Sequence, residues 1–141
     1  MEAVDARILS AKQEVIVATR ALSAISILKN LLAKEAAGVP VFTLLSPDTL
    51  PAKAQSDLVA WMRQNRMTGV YQDAFVSGSY VIVIDESTVI ISDLPFSQKS
   101  FESADPSTAV RGFVTIIDNP ALAKGMADDL KARILEKNKI L

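Results

Sequence analysis

The fold is decided by the stretch Gly78-Ser-Tyr-Val-Ile-Val-Ile-Asp-Glu-Ser-Thr-Val-Ile-Ile-Ser-Asp-Leu-Pro-Phe-Ser97. It contains two short apolar runs, rich in β-branched residues, with a polar segment between them. Such runs are typical of buried strands, and polar residues between them are typical of a tight turn. The stretch therefore predicts a β-hairpin with strands at Tyr80–Ile84 and Thr88–Ser92 and a turn at Asp85–Ser87.

Upstream of the hairpin, helical and strand patterns alternate. The spacing of apolar residues predicts helices, and short β-branched runs predict strands between them. The strand, helix, strand order implies a right-handed parallel crossover. In the second helix the expected inward residues are Ile25, Leu28, Leu32 and Ala36, and in the third Ala54, Leu58, Trp61 and Met62. The predicted elements are helices Ala3–Gln13, Leu22–Ala37 and Ala52–Asn65 and strands Val15–Ala18, Val39–Leu45 and Val70–Val76.

Downstream of the hairpin lies a long serine- and proline-rich loop, Leu94–Ala109, with Phe96 and Phe101 as its large apolar residues. A last strand is predicted at Arg111–Ile117. Asn119 is a good N-cap and Pro120 a good first-turn residue for a final helix. The expected buried face of that helix consists of Leu122, Met126, Leu130 and Ile134.

These elements predict one α/β domain over residues 1–141, with a mixed, mostly parallel β-sheet flanked by helices on both faces. A chain of 141 residues, half of them hydrophobic, is long enough to bury one core.

Composition excludes several kinds of chemistry. The chain has no cysteine, which removes disulfides and thiolates, and no histidine, which removes the commonest general base and metal ligand. The net charge of −1 provides no overall attraction to nucleic acid. No segment is long and apolar enough to span a bilayer. The first residues do not resemble a secretory signal, so we expect a cytoplasmic protein.

Nearly the whole chain resembles one half-unit of the phospholipase D superfamily. The central hairpin carries the resemblance together with Ala36-Ala-Gly-Val-Pro-Val-Phe-Thr-Leu-Leu45 before it and Phe113-Val-Thr-Ile-Ile-Asp-Asn-Pro-Ala-Leu-Ala123 after it. The family signature is a histidine, a lysine two residues later and an aspartate five residues after that. A glycine–serine pair and an asparagine follow the next strand.

In this chain Asp85 fits the aspartate of the signature. The other signature positions carry different residue types, and Phe96 keeps an aromatic residue found in the family. The histidine falls on Gly78, the lysine on Tyr80, the glycine–serine pair on Ser92 and Asp93, the asparagine on Pro95, and an acidic residue before the last strand on Arg111.

The resemblance implies a family reaction in which histidine attacks a phosphodiester while lysine and asparagine hold phosphate oxygens. Gly78 cannot attack, and Tyr80 carries no positive charge at neutral pH. Pro95 has no donor, and Asp93 would place negative charge beside a phosphate. We therefore predict a pseudoenzyme with no catalytic residues, cofactor or metal.

Several residues remain candidates for other roles. Asp85 is either a relic of the site or a turn residue that caps the hairpin. Asp85 and Asp93 are expected at opposite ends of one strand, too far apart for a shared site. The candidate ligand or interface residues are Tyr80 and Arg111 beside the former pocket, Arg20 after the first strand, and Phe96 in the long loop.

The resemblance also implies a homodimer, because single half-units of this family pair across the active-site face. The predicted function is a binding or protein-interaction module with a protein partner and no nucleic acid. A sensor of a small molecule or phosphate ligand within a regulator is the alternative. A composite phosphodiesterase completed by an active partner chain is the third.

Overall fold

A computed structural model of the protein describes residues 2–19, 25–45, 52–67, 69–72, 80–93 and 114–136. Within them the helices are α1 (Glu2–Leu9), α2 (Ile25–Ala36), α3 (Ala52–Gln64) and α4 (Pro120–Glu136). The strands are β1 (Val15–Thr19), β2 (Val41–Leu45), β3 (Val70–Gln72), β4 (Tyr80–Ile84), β5 (Thr88–Ser92) and β6 (Val114–Asp118).

The strands form one sheet in the order β3-β2-β1-β4-β5-β6. The pairs β1–β2 and β2–β3 are parallel, whereas β1–β4, β4–β5 and β5–β6 are antiparallel. The predicted mixed α/β sheet is confirmed, but the predicted predominance of parallel pairs is wrong. After β3 the chain continues as an antiparallel meander, which joins the sheet beside β1 instead of extending it beyond β3.

Helices cover both faces of the sheet, as predicted. Because side chains alternate along a strand, Val15 and Val17 of β1 face α1, α2 and α3, whereas Ile16 and Ala18 face α4. We call these the three-helix face and the α4 face. The buried residues Ile82 and Ile90 continue the core of the three-helix face into the meander.

Helix α2 buries Leu28 and packs Leu32 against the core, as predicted, whereas the side chain of Ile25 lies outside the described residues. Ile27, Leu28 and Leu31 are buried, Leu32 is half-buried, and Ala36 is exposed. The helix ends at a glycine stop, as predicted. Gly38 has a φ of 88°, and the Val39 amide donates to the Lys34 carbonyl at 2.9 Å. This is the hydrogen bond of a Schellman motif, for which glycine is favoured.

Helix α4 approaches the sheet through alanines that the sequence did not single out. Ala123 and Ala127 are fully buried, whereas the predicted Leu122 is 39% exposed. Met126, Leu130 and Ile134 pack on the core from partly buried positions, as expected. Small side chains allow the helix to lie close to the strands, so its longer residues flank the line of contact.

Other predicted boundaries shift by a few residues. Helix α1 ends at Leu9, because residues 12–14 form a connection held by hydrogen bonds described below. Helix α3 buries Met62 and half-buries Trp61, as predicted. The side chains of Ala54 and Leu58, the loop Leu94–Ala109 and residues 73–76 of the predicted third strand lie outside the described residues.

Candidate functional site

The two ends of the sheet differ in composition. The Thr19 edge is the end at which Thr19, Leu45, Gln72, Tyr80, Ser92 and Val114 lie, as the strand registers require. The Asp85 edge is the opposite end, where the Asp85–Ser87 turn and the residues Val15, Val41, Thr88 and Asp118 lie. The signature positions of the resemblance are divided between these two edges.

The Thr19 edge buries hydroxyl groups side by side on the three-helix face. Tyr80 is 5% exposed and lies directly opposite Ser92, which is 2% exposed. Thr19 is fully buried at the end of β1, the strand beside β4. Each of these residues has an interaction partner. The positions that the resemblance assigns to lysine and to the first small residue therefore carry buried, uncharged groups.

Tyr80 belongs to the hydrophobic core of the three-helix face, together with Ile82 and Ile90. A charged side chain at this position would lose its hydration on burial, at a large cost in free energy. The phenol ring contributes apolar surface instead, and its hydroxyl can serve as donor or acceptor. The ring is thus suited to packing at the end of the core.

Asp93 follows β5 directly and is exposed. Asp85 precedes β5, so the two carboxylates lie at opposite ends of this strand, roughly 16 Å apart or more at about 3.3 Å per residue. The predicted placement of the two residues at opposite ends of one strand is confirmed. Among the residues that the structure describes, no group of three acidic residues is placed to hold a metal ion.

The carboxylate of Asp85 holds the connection between α1 and β1. Its Oδ1 accepts hydrogen bonds from the amides of Gln13 at 2.7 Å and Glu14 at 3.0 Å, and Oδ2 accepts one from Lys12 at 2.9 Å. The Asp85 amide in turn donates to the Glu14 carbonyl at 3.0 Å. Hydrogen bonds to an ionised acceptor are the stronger kind, so Asp85 fastens two segments that are far apart in the sequence.

The expectation that Asp85 caps its own hairpin needs correction in one respect. Asp85 does lie in the turn, and both Asp85 and Glu86 have positive φ, 54° and 51°. Type I′ turns require this of both central residues, and aspartate tolerates it well. The side chain, however, reaches across to residues 12–14 instead of capping the turn. Asp85 is therefore a structural residue of this edge.

An ion network surrounds the same turn. Lys131 of α4 contacts Glu14 at 2.7 Å and Glu86 at 2.9 Å. The hydrogen bonds that Lys131 donates to Glu14 and Glu86 raise the pKa of Lys131, and the one that Glu86 accepts lowers the pKa of Glu86. The network ties α4, the hairpin turn and the start of β1 together.

Asp118 forms a second ion pair at the Asp85 edge. Its Oδ1 accepts hydrogen bonds from the guanidinium of Arg7 and, at 2.8 Å, from the hydroxyl of Thr88. The hydrogen bond from Arg7, which has the larger effect, and the one from Thr88 hold the pKa of Asp118 below its usual value. Asn119 caps α4 as predicted, since its side-chain oxygen accepts from the Leu122 amide at 3.2 Å.

Two further features were not anticipated from the sequence. The hydroxyl of Thr43 in β2 is buried and has no hydrogen-bond partner among the described atoms. Between α4 and β4 lies a groove of about 310 Å³, lined mainly by apolar side chains. Its lining consists of Val81, Ala121, Leu122, Gly125, Met126, Asp129 and Leu130. In the sequence, the groove is indicated only by pairs in α4 in which a smaller residue is followed directly by a larger one.

The remaining predicted site residues are not placed. Gly78, Pro95, Arg20, Phe96 and Arg111 lie outside the described residues. The structure therefore locates Tyr80, Asp85 and Asp93 of the predicted set, and brings Tyr80 together with Ser92. In the described part of the chain, no helix is long and apolar enough to cross a membrane.

Comparisons with known proteins identify the fold. No protein-family model matches the chain, and no curated protein matches it. Among solved structures, Nuc from Salmonella typhimurium, a phospholipase D family member, matches with a TM-score of 0.76 and 17% identity, over 98% of this chain and 88% of that chain. NucT from Helicobacter pylori matches with a TM-score of 0.72 and 13% identity, over 99% and 89%.

A third match has a different description. TrmBL2, an archaeal chromatin protein with a novel mode of DNA binding, has a TM-score of 0.65 and 12% identity. The match covers 99% of this chain and 50% of that protein, so the present chain spans about half its length. At such identities these likenesses show the fold alone. The chain thus has the α/β fold of phospholipase D family members.

Proposed function

We propose that this chain is a catalytically inactive phospholipase D-like domain that acts as a binding or protein-interaction module and forms a homodimer. The observation that supports this most directly is the position of Tyr80. It occupies the lysine position of the resemblance, yet its side chain is buried in the core of the three-helix face. The chain also contains no histidine, so none of its residues can supply an imidazole nucleophile.

The charge at the Thr19 edge supports the same proposal. Binding of a phosphodiester calls for cations or several donors around the phosphate oxygens. None of the described residues that begin or end strands at this edge is a lysine or an arginine, and Asp93 adds a carboxylate. Uncharged hydroxyls and an exposed carboxylate favour neutral or cationic contacts over a phosphate.

An assay with bis-p-nitrophenyl phosphate tests the loss of activity. We expect no hydrolysis above buffer by the purified protein. A low rate of hydrolysis that is the same in the wild type and in the Tyr80→Phe and Ser92→Ala variants comes from a contaminating enzyme. Turnover that falls at least tenfold in either variant, with circular dichroism showing an intact fold, would overturn the proposal, because it would place chemistry at the Thr19 edge.

Light scattering across a dilution series tests the homodimer. We expect the molar mass to approach twice the chain mass of 15.2 kDa at high concentration. A mass that stays at 15.2 kDa at every concentration would contradict the dimer. That result would leave the proposed loss of activity untouched, since the two measurements are independent.

A small-molecule sensor is the second candidate function, and the groove beside α4 favours it. Its volume of about 310 Å³ lies at the lower end for ligand pockets, and its lining is mostly apolar. Gly125 lines the groove, and a Cβ added there would meet no atom within 4 Å outside the neighbouring backbone of the helix, so we expect the side chain of Gly125→Leu to occupy the groove. If this function holds, short-chain fatty acids should raise the melting temperature of the wild type but not of Gly125→Leu.

A further inference from the structure

The groove between α4 and β4 holds a charged side chain among apolar ones. Of the described residues that line its volume of about 310 Å³, only Asp129 carries a charge. The others are aliphatic or small, and Leu122, which is 39% exposed, adds apolar surface. Small-ligand sites combine apolar walls with a few polar groups that fix the orientation of the ligand. In this groove, Asp129 is placed to be the orienting group.

The apolar walls of the groove come from both the sheet and the helix. Val81 lies on the β4 side, whereas Leu122, Met126 and Leu130 lie on α4. Gly125 lies in the middle of α4, where glycine lowers helix stability relative to alanine. A Cβ added at Gly125 would meet no atom within 4 Å outside the neighbouring backbone of the helix, so the missing side chain leaves space. The groove can therefore take an alkyl chain of a few carbon atoms.

The carboxylate of Asp129 keeps the capacity for a further partner. Its Oδ2 lies 3.4 Å from Nε of Arg133, one turn further along the helix. The side chains of Arg133 and Asp129 are 45% and 67% exposed, and exposed pairs of this spacing contribute little free energy. A carboxylate offers two oxygens with about four lone-pair sites. A long contact to Arg133 does not use them all, so a second cation can bind Asp129.

We propose that the groove binds a small alkylammonium ligand, whose chain lies against the apolar walls and whose ammonium group contacts the Asp129 carboxylate. The inference rests on the proposed small-molecule sensor and names the class of its ligand. An anion of equal chain length would meet the negative charge of Asp129, and a neutral alcohol would gain only a hydrogen bond. The groove should therefore rank ligands by head group, with ammonium above hydroxyl and hydroxyl above carboxylate.

The chain and the head group contribute to binding in different ways. Burial of the chain favours binding in proportion to its apolar area, so hexanol and hexanoate still bind. The ion pair at an exposed carboxylate adds a modest attraction that salt screens. At low salt we expect hexylammonium to bind about threefold more tightly than hexanol and about tenfold more tightly than hexanoate. Added salt should reduce the advantage of hexylammonium over hexanol.

The first test removes the charge of Asp129. Titrations followed by amide NMR spectra measure the dissociation constants of hexylammonium, hexanol and hexanoate. Asp129→Asn keeps the size of the side chain, and we expect this variant to bind hexylammonium and hexanol with affinities within about twofold of each other. The matched control is Asp128→Asn, because Asp128 is exposed on the same helix, pairs with Lys124 and is not among the described residues that line the groove. The control should keep the wild-type order of the three ligands.

The second test locates the binding site and does not depend on Asp129. The side chain of Gly125→Leu should occupy the groove, so all three ligands should bind this variant more weakly than the wild type. Circular dichroism checks that its helix content is unchanged. In the wild type, the amide resonances that move on titration should belong mainly to residues 121–130, which contain the α4 part of the lining.

The outcomes separate this inference from the proposed sensor. Equal affinities for the three ligands, or a preference for hexylammonium that persists in Asp129→Asn, would overturn the alkylammonium class and leave the groove as a ligand site. If no ligand binds the wild type, or if Gly125→Leu binds all three equally well, the sensor and the inference fall together. Tighter binding of Nα-acetyl-lysine amide than of hexylammonium would overturn the inference in favour of a protein partner that inserts a lysine side chain.

Discussion

The Asp85 edge and the Thr19 edge of the same sheet contain different kinds of polar groups. At the Asp85 edge, charged groups fix the geometry: Asp85 accepts hydrogen bonds from the backbone of residues 12–14, and Lys131 contacts two carboxylates. At the Thr19 edge, the buried polar groups among the described residues are the uncharged hydroxyls of Thr19, Tyr80 and Ser92. Asp85, to which the resemblance assigns the signature aspartate, lies at the edge where its side chain stabilises the fold.

The largest effect should follow from placing a charge at the uncharged edge. Tyr80→Lys introduces the residue type that the resemblance assigns to this position, which is 5% exposed. We expect a loss of about 4 kcal/mol or more in the free energy of unfolding at pH 7, because an unpaired buried ammonium is costly. Part of this loss should return as the pH rises and the amine becomes neutral.

Urea denaturation of Tyr80→Lys and a Tyr80→Phe control measures this cost. The control keeps the ring and removes only the hydroxyl. A Tyr80→Lys variant as stable as the wild type would show that the Thr19 edge can hydrate or pair a cation, and would remove the difference between the edges.

At the charged edge, Asp85→Ala should cost about 3 kcal/mol, because three backbone amides lose an ionised acceptor. About 1 kcal/mol of this would come from alanine at a positive φ. Asp85→Gly, which tolerates that φ, separates the two contributions. Urea denaturation measures the loss in the free energy of unfolding. The control is Asp57→Ala, which removes an exposed carboxylate on α3. An effect of Asp85→Gly no larger than that of Asp57→Ala would contradict the proposed structural role.

A pH series should show the contribution of the ion network. The pKa of Glu86 is lower in the folded protein because Lys131 donates a hydrogen bond to it. Glu86 therefore stabilises the fold above the pKa it has when unfolded, and this contribution is lost as the pH falls through its lowered folded value. The stability difference between wild type and Lys131→Met should shrink as the pH drops below about 4.

Lys124→Met is the control for this series, since Lys124 pairs with Asp128 on the exposed side of the same helix. At neutral pH, the free energy of unfolding of Lys124→Met should differ less from that of the wild type than the free energy of unfolding of Lys131→Met does. Equal pH profiles for the two variants would indicate that the network around Glu86 adds nothing beyond an ordinary surface pair.

The smallest effect should come from Thr43, which lies between the two edges. Its buried hydroxyl lacks a partner among the described atoms, so Thr43→Val should be neutral or stabilising by up to about 1 kcal/mol. Thr43→Ser keeps the hydroxyl and should cost about 1 kcal/mol for the lost methyl group. Destabilisation by Thr43→Val, measured in urea, would reveal a partner for the hydroxyl.

The hairpin was predictable to the residue because its signals are local. β4 and β5 are β-branched runs, and the residues between them favour a turn. The glycine stop after α2 and the asparagine cap of α4 are equally local and were also predicted. For such features, a few neighbouring residues contain all of the information.

The rest depends on contacts between distant residues. The partners of Asp85 lie 71 to 73 residues away, and nothing in the turn indicates them. Whether α4 contacts the sheet through Ala123 or Leu122 depends on how closely the helix approaches the strands. The predominance of antiparallel pairs follows from β4 joining β1, and this choice of neighbour cannot be read from the strand itself.

The junction between β1 and β4 has a consequence for how the chain folds. On one side of it, β1, β2 and β3 are linked by helices, and on the other, β4 and β5 are linked by a tight turn. The β1–β4 junction joins residues more than sixty positions apart, which carries a greater loop-closure cost than the hairpin. We expect the two halves to acquire structure early and their docking to limit the folding rate. The hydrogen bonds of Asp85, which bridges this junction, would then mainly lower the rate of unfolding.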